Sequence, residues 1–449
     1  MNYKIVRNFF TGHERSVNAK KNIAASFFIR GISIGISLLL VPMTIKLVSP
    51  VNYGIWLTLS SVIGWINFFD IGFGNGLKNK LAAAFAVGDY KSAKIYVSTT
   101  YAIFSIITGV LIVLFVIINP YLNWKSILNS PGSNFNELST LALITFVFFC
   151  IQFVLQLILI IITANQQPAK ASLVSLFGNI ISLLLVLLLK ILNKGSLINL
   201  GIVFCISPVI VMAIFNIWFF KFDFRNIVPS FRFVEIKYAK DLMDLGVKFF
   251  IIQIGIIVIY QTNNIVITQI FGPTDVTVYN IAYKYFSVVT MGLAIIMTPF
   301  WPAFTNAFAS DDWEWIKNII SKLNKLWIVL CFVIFIMVVL SNFVYKLWVG
   351  NVILIPFSLS ISIGVYIIIN AWNGIYGNFL NGVGKIHLQL YVAIFDSICN
   401  IPIAIFLGRK YGISGVVMSS CILGAKNMIW SKIQYNKIIN KQAFGIWGK

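Results

Sequence analysis

The stretch IYVSTTYAIFSIITGVLIVLFVII, residues 95–118, contains no charged side chain. A helix of about 20 apolar residues crosses the roughly 30 Å of hydrocarbon in a bilayer, and its backbone satisfies its own hydrogen bonds there. The whole chain of 449 residues has the same character, with 59% apolar and 10% charged residues, whereas soluble domains carry about 25% charged residues. The sequence therefore predicts an all-α polytopic membrane protein. It excludes an ordinary soluble enzyme and a disordered chain.

Working outward from this stretch, twelve apolar runs are long enough to be membrane spans. They cover residues 22–47, 54–77, 95–118, 138–162, 172–189, 197–220, 246–271, 278–302, 326–344, 354–379, 388–407 and 413–431. The five cysteines lie inside such runs, and the two histidines are far apart in sequence. Neither a disulfide framework nor a metal site is therefore expected.

The distribution of basic residues predicts the orientation. If the N-terminus and every second connecting segment lie on one side, that side carries 23 of the 34 Lys and Arg, and the opposite side carries 6. Short segments rich in Lys and Arg stay in the cytoplasm. Both termini are therefore predicted to be cytoplasmic. Most of the net charge of +21 is explained by orientation and by anionic lipid, so the bilayer is a partner and nucleic acid is not expected.

The chain resembles a duplication. The segment VSPVNYGIW (residues 48–56) and the segment FGPTDVTVY (residues 271–279) each place Pro six positions before an aromatic residue, at an offset of 223. Chance similarity is the alternative in so biased a composition. A duplication predicts two six-helix lobes related by an axis along the membrane normal, as in several transporters. The predicted parts are a cytoplasmic N-terminal segment (1–21), an N-lobe (22–220), a cytoplasmic basic linker (221–245), a C-lobe (246–431) and a cytoplasmic tail (432–449).

The motifs of several enzyme classes are missing. The sequence has no phosphate-binding loop of the type G-x-x-x-x-G-K-[ST] and no H-E-x-x-H, so it lacks the signatures of a P-loop ATPase and a zinc protease. The longest predicted outer segment, residues 119–137, carries one Lys and one Glu. That argues against a glycan polymerase or ligase, and a transporter is favoured over an enzyme.

Ionisable side chains inside predicted spans are candidate functional groups, because burying a charge in hydrocarbon is costly. Arg30 and Asp70 are predicted to reach a similar depth on adjacent spans, Arg30 at roughly 12 Å from the cytoplasmic end. They form either a structural ion pair or a cation site tuned by Asp70. Asp396 and Lys426 also match in depth and are predicted to pair. Two further lysines each have two possible roles. Lys284 either extends its ammonium to the lipid headgroups or faces a cavity. Lys248 either anchors the helix at the membrane interface or faces the cavity.

The positive groups outnumber the negative ones, which favours a phosphorylated ligand. Arg30, Lys248, Lys284 and Lys426 are therefore candidate substrate-binding residues of a cationic cavity, and Asp70 and Asp396 are candidates for coupling or charge tuning. An exporter of organic cations is expected to present acidic residues instead. Amide side chains in the second half, such as Asn370, Asn373, Asn378 and Asn381, either hold helices together or bind sugar hydroxyls.

The segment FFDIGFGNGLKN (residues 68–79), with YNIAYK (279–284) and NGVGK (381–385), resembles the polysaccharide transporters of the multidrug/oligosaccharidyl-lipid/polysaccharide (MOP) exporter superfamily. The resemblance covers essentially the whole chain. The lipid II flippases of the superfamily usually carry two further helices, which puts a peptidoglycan substrate in doubt. The motif at the inner end of the second span consists of Gly72, Gly74, Asn75, Gly76 and Lys78.

This resemblance implies a flippase for undecaprenyl-pyrophosphate-linked oligosaccharides, the repeat units of O-antigen or capsule, with two six-helix lobes around a cationic cavity. No cofactor is expected beyond a coupling H⁺ or Na⁺. Polysaccharide polymerase and ligase proteins are further candidate partners. Two alternatives stay open at this point: a cation-coupled multidrug exporter of the same fold, and a membrane-embedded glycan-assembly enzyme.

Overall fold

The structure, a computed structural model, describes residues 14–64, 73–165, 167–239, 262–297 and 300–448. These ranges contain helices and no strand. The longer helices are α1 (Glu14–Val48), α2 (Pro50–Ile63), α3 (Phe73–Val87), α4 (Tyr90–Ile118), α5 (Phe135–Leu155), α6 (Leu157–Ala164), α7 (Pro168–Ile191), α8 (Leu197–Lys221), α9 (Pro273–Met297), α10 (Phe300–Ala309), α11 (Trp313–Trp348), α12 (Phe357–Gly382), α13 (His387–Tyr411) and α14 (Ile413–Ile439).

Ten helical spans within the described ranges are long and apolar enough to cross a membrane. They coincide with ten of the twelve predicted spans. The predicted spans 54–77 and 246–271 lie partly outside the described residues, so the count of twelve stays a prediction. The all-α membrane fold itself is confirmed for the described part of the chain.

Several helices extend past the apolar runs that predicted them. Helix α11 has 36 residues, about 54 Å at 1.5 Å per residue, against a predicted span of 326–344. Helix α3 continues to Val87, and Gly88, at a φ of 71°, ends it. Asp89 then caps α4 by accepting a 3.0 Å hydrogen bond from the backbone N–H of Ser92. Hydrogen bonds from Ser92 hold the pKa of Asp89 below its usual range. The polar segments are thus partly helical extensions rather than loops.

One compact unit comprises Met1–Ser49, Leu59–Ile127 and Pro131–Phe250. In its described part, α1 packs along α7, and both α5 and α7 pack against α8. Helix α4 packs on α5, where the rings of Phe104 and Phe153 stack with centroids 4.7 Å apart.

The described part of the predicted linker packs against this unit. Phe224 and Ile227 are buried in its core, and the backbone N–H of Ser230 donates a 3.1 Å hydrogen bond to the hydroxyl of Ser98 on α4. This portion of the linker is therefore attached to α4. The predicted lobe boundaries stay predictions.

The other unit comprises Pro50–Thr58, Leu128–Ser130 and Ile251–Lys449. Helix α12 is central in its described part, because it packs against α9, α10, α11 and α14, and α14 also packs against α13. The buried rings of Phe304 on α10 and Phe379 on α12 meet edge to face, with centroids 5.5 Å apart. This core holds α12 in a fixed orientation.

Within this second unit, the two segments of the proposed repeat contact each other reciprocally. The Thr277 hydroxyl donates a 2.7 Å hydrogen bond to the carbonyl oxygen of Pro50. In return, a Cβ atom added to Gly54 would overlap the carbonyl oxygen of Pro273. Pro50 corresponds to Pro273, and Gly54 to Thr277, at the offset of 223 residues. Such an exchange of roles is the arrangement that a two-fold-related pair of segments produces.

Candidate functional site

A cavity of about 310 Å³ with many polar side chains in its lining lies in the second unit among α12, α13 and α14. Two aromatic side chains, Tyr366 and Trp430, contribute to its wall. Its polar lining consists of Asn370, Asn373, Asn378, Asn381, Gln389, Asp396, Ser420 and Asn427, together with Ser431. Polar side chains are costly to place inside a membrane protein. So many amides, hydroxyls and a carboxylate around one cavity therefore indicate either a bound ligand or polar contacts between helices.

The cavity side of α12 is one continuous face of the helix. Its lining positions recur at steps of three and one, which places them on a single stripe: Asn370, Asn373, Gly374, Gly377, Asn378 and Asn381. The opposite side is apolar, with Ala371, Ile375 and Phe379 buried in the core. Because that core fixes the rotation of α12, the amide stripe is held toward α13 and α14.

A close approach of two helices sets one edge of the cavity. A Cβ atom added to Gly424 of α14 would come within 2.7 Å of the Ile369 Cγ2 atom on α12. The absence of a side chain at Gly424 also exposes its carbonyl oxygen, which accepts a 3.0 Å hydrogen bond from Asn373 Nδ2. Helix α14 therefore touches α12 at this point, and Gly424 itself contributes to the cavity lining.

The carboxylate of Asp396 carries the negative charge of the cavity lining, and it is compensated. Asp396 is 1% exposed. The Lys426 ammonium forms an ion pair with Asp396 Oδ1, and Asn427 Nδ2 donates a 2.7 Å hydrogen bond to Oδ2. The ammonium also lies 4.5 Å from the centroid of the Phe395 ring, a favourable cation–π distance. The predicted pairing of Asp396 with Lys426 is confirmed, and Lys426 adds no uncompensated positive charge here.

The remaining polar groups of the cavity present mainly hydrogen-bond acceptors. Asn373 and Asn378 both give their N–H groups to backbone carbonyls, those of Gly424 and Gly374. Asn373 Oδ1, Gln389 Oε1 and the Ser420 hydroxyl are buried and have no hydrogen-bond partner among the described residues. Each such buried atom normally has a partner in a native protein.

Two of the predicted cationic residues, Arg30 of the first unit and Lys284 of the second, are not among the residues that line this cavity. Arg30 is an exposed residue of α1, and its Nε donates a 3.3 Å hydrogen bond to the hydroxyl of Ser172 on α7. Lys284 is half-buried on α9, and the ion pairs among the described residues do not include it. Their roles in substrate binding stay predictions.

The structure describes only some of the other predicted site residues. Asp70, Gly72 and Lys248 lie outside the described residues, so the proposed pair of Arg30 with Asp70 is untested. Asn75 is described as part of α3 but its side chain is not. The remaining motif residues are in the first turns of α3, where Gly74 and Gly76 are buried and Lys78 is exposed.

Several residues of the cavity were missed by the sequence reasoning. Asn427 is the second partner of Asp396, and Gln389 and Ser420 are the unpaired acceptor and hydroxyl. A signal was present on α14, where Ser420, Asn427 and Ser431 recur at steps of seven and four and therefore share one face of the helix. The asparagines of α12 also share one face, and their spacing predicts either helix contacts or sugar binding.

Comparison with known proteins identifies the family. The sequence model of the polysaccharide biosynthesis protein family matches residues 19–308. The chain belongs to this family. It is also similar over 402 residues, at 22% identity, to a Yersinia pseudotuberculosis protein named for O-antigen export, with 88% of this chain and 90% of that protein covered.

Two further similarities agree with the family. A Salmonella typhi protein named as an O-antigen transporter is 22% identical over 422 residues, covering 91% of this chain and 94% of that protein. The fold matches an inward-facing multidrug resistance MATE family transporter of the MOP superfamily, with a TM-score of 0.67 at 13% identity, covering 93% of this chain and 96% of that one. The predicted polysaccharide family is confirmed by the sequence model, the fold is shared with the MATE transporter, and ten described helices long and apolar enough to cross a bilayer make this family member a multi-pass membrane protein.

Proposed function

We propose that this chain is a flippase that moves undecaprenyl-pyrophosphate-linked oligosaccharides, the repeat units of O-antigen or capsular polysaccharide, from the cytoplasmic to the outer leaflet. The family match over residues 19–308 carries the proposal. Relatives named for O-antigen export and transport support the substrate class. The chain is then a transporter of a finished lipid-linked unit, and a separate polymerase and ligase act on that unit afterwards.

Alternating access is the mechanism we propose. In two six-helix lobes, one lobe rocks against the other, the polyprenyl tail stays in the bilayer and the head group crosses through water. The reciprocal contact of Gly54 with Pro273 and of Thr277 with Pro50 supports an internal repeat of this kind. An even number of spans per lobe and the excess of basic residues on one side support cytoplasmic termini in a bacterial inner membrane.

Cationic side chains are proposed to attract the pyrophosphate. Guanidinium and ammonium groups bind phosphate oxygens with charge-assisted hydrogen bonds. Arg30 is suited to this because its guanidinium is exposed and uses one N–H on Ser172, which leaves further donors. Lys284 and Lys248 are the other candidates. Export of organic cations is the alternative, and the compensation of Asp396 by Lys426 disfavours it within the described cavity.

Coupling to H⁺ or Na⁺ through Asp70 or Asp396 remains part of the proposal. For Asp396, the coupling ion has to compete with Lys426 and Asn427, which occupy both carboxylate oxygens. A proton can do so by neutralising the carboxylate. Coupling at Asp396 therefore requires that the ion pair open during the transport cycle.

Deletion of the gene in its bacterium tests the proposed function. We expect loss of surface polysaccharide and accumulation of the lipid-linked repeat unit with its glycan on the cytoplasmic face. Immunoblotting of surface glycan and mass spectrometry of extracted lipids give the two readouts. Surface glycan that is unchanged in the deletion strain contradicts the proposal, as does glycan bond formation by the purified chain.

Replacing Arg30 by alanine tests the cationic site. Losing one charge-assisted contact to phosphate is worth about 1.5 kcal/mol, so we expect transport of the repeat unit to fall roughly tenfold. The rate of appearance of surface glycan in the complemented deletion strain measures it. The matched control is Lys46→Ala, because Lys46 is an exposed cation in the last turn of the same helix. Equal export by both variants removes Arg30 from the site.

A further inference from the structure

We propose that the cavity among α12, α13 and α14 binds a neutral sugar residue of the transported glycan. The inference rests on the proposed function and adds a saccharide site inside the second unit, whose lining does not include Arg30 or Lys284.

The hydrogen-bonding groups of the cavity fit a ligand that donates. Asn373 Oδ1 and Gln389 Oε1 are buried acceptors without a partner among the described residues. The Ser420 hydroxyl, also without such a partner, belongs to a residue that is 96% buried and lines the cavity. A sugar presents several hydroxyl groups close together, each of which donates one hydrogen bond and accepts others. A hydroxyl-rich ligand thus satisfies atoms that the described fold leaves unpaired.

The charge of the cavity favours a neutral ligand over a cation or an anion. Both oxygens of Asp396 are engaged, by the Lys426 ammonium and by Asn427. A metal cation would have to displace Lys426 from this carboxylate to gain a charged ligand. An anionic sugar would meet several amide oxygens and no positive charge that is free of Asp396. A neutral hexose or N-acetylhexosamine neither has to displace Lys426 nor brings a negative charge into the cavity.

The shape of the cavity is made by glycines as well as by amides. Gly374 and Gly377 lie on the cavity face of α12, and a Cβ atom added to either meets nothing within 4 Å. Glycine destabilises a helix relative to other residues, so two glycines here have a cost that packing does not explain. Their effect is to keep a trough open beside Asn373 and Asn378. The volume of about 310 Å³ is at the small end of ligand pockets, and the rings of Tyr366 and Trp430 offer apolar faces.

The experiment fills the trough. Gly377→Leu places an isobutyl side chain in open space on α12, so the helix is retained while the cavity is blocked. Ser420→Ala removes one unpaired hydroxyl without adding volume. The matched control is Gly109→Leu on α4, because Gly109 is also a helical glycine with nothing within 4 Å and lies in the other unit.

Binding is measured on the full chain in lipid nanodiscs by saturation-transfer difference NMR. The probes are methyl glycosides of glucose, galactose, N-acetylglucosamine and glucuronic acid. We expect signal from at least one neutral glycoside and none from the glucuronide. The signal is expected to fall at least fivefold in Gly377→Leu and more than twofold in Ser420→Ala, and to be unchanged in Gly109→Leu. No difference between Gly377→Leu and the unmodified chain for any neutral glycoside overturns the proposal.

Two further outcomes separate this inference from the proposed function. In the first, NaCl raises the melting temperature of the unmodified chain more than KCl does, and Gly377→Leu abolishes that rise but keeps the glycoside signals. The cavity is then a cation site, and the inference is wrong. If gene deletion abolishes surface glycan but Gly377→Leu restores it as fully as Gly109→Leu does, the flippase assignment stands and the sugar site fails. Unchanged glycan in the deletion strain contradicts the proposed function alone.

Discussion

Lys426→Met is expected to destabilise the second unit by about 3 kcal/mol. The substitution keeps most of the side-chain length and removes the ammonium, so it leaves the carboxylate of Asp396 buried at 1% exposure without its cation. Breaking a buried pair by removing one partner costs roughly 3–5 kcal/mol, and the low end applies because the Lys426 side chain is 40% exposed. Titration of the purified chain with SDS, followed by tryptophan fluorescence, measures the loss.

A double-mutant cycle makes this prediction specific. Adding Asp396→Asn to Lys426→Met removes the buried charge, and we expect most of the lost stability to return. Lys432→Met is the matched control, because Lys432 is an exposed lysine of the same helix that lies 5.6 Å from the centroid of the Trp372 ring. If the double variant is as unstable as Lys426→Met, the ion pair is not the source of the stability.

Gly54→Leu is expected to destabilise the packing of α2 on the start of α9 by about 3 kcal/mol or more. A Cβ atom at this position overlaps the carbonyl oxygen of Pro273. Overpacking a filled contact costs about 1–3 kcal/mol, and the upper end is expected because the opposing atom belongs to the backbone and cannot turn away. The melting temperature of the purified chain is the readout.

The same contact predicts a smaller effect at its other end. Thr277→Val removes the hydrogen bond to the Pro50 carbonyl oxygen and is expected to cost about 1 kcal/mol. The matched control for Gly54→Leu is Gly35→Leu on α1, where an added Cβ meets nothing within 4 Å. If Gly54→Leu and Gly35→Leu melt alike, the close approach described above does not exist in the folded protein.

The sequence predicted most membrane helices because their apolar runs are long and uninterrupted. It also predicted the pairing of Asp396 with Lys426, since the positions of two charges in adjacent spans fix their depths when each residue rises 1.5 Å. Burial of a single ion in hydrocarbon is costly, so two opposite charges at one depth are expected to form a pair. That reasoning reached the ion pair but not Asn427, because an amide carries no comparable penalty.

Other features depended on information that hydropathy does not contain. Helix α11 begins at Trp313, well before its apolar run, because backbone hydrogen bonds continue a helix regardless of whether lipid or water surrounds it. The attachment of Phe224 and Ile227 to α4 depends on tertiary packing. The open trough at Gly374 and Gly377 depends on the positions of the neighbouring helices. The sequence alone does not show whether the space beside a glycine is filled.

Transbilayer movement of the glycan by the purified chain is the most direct test of the central claim. The full chain is reconstituted into vesicles with lipid-linked oligosaccharide extracted from the deletion strain, and periodate, used at a temperature where it does not cross the bilayer, oxidises the exposed sugars. Vesicles without protein should stop at about half oxidation, because one leaflet is protected. We predict that vesicles with the chain proceed to near-complete oxidation; oxidation that stops at the same half-way level would contradict the assignment as a flippase.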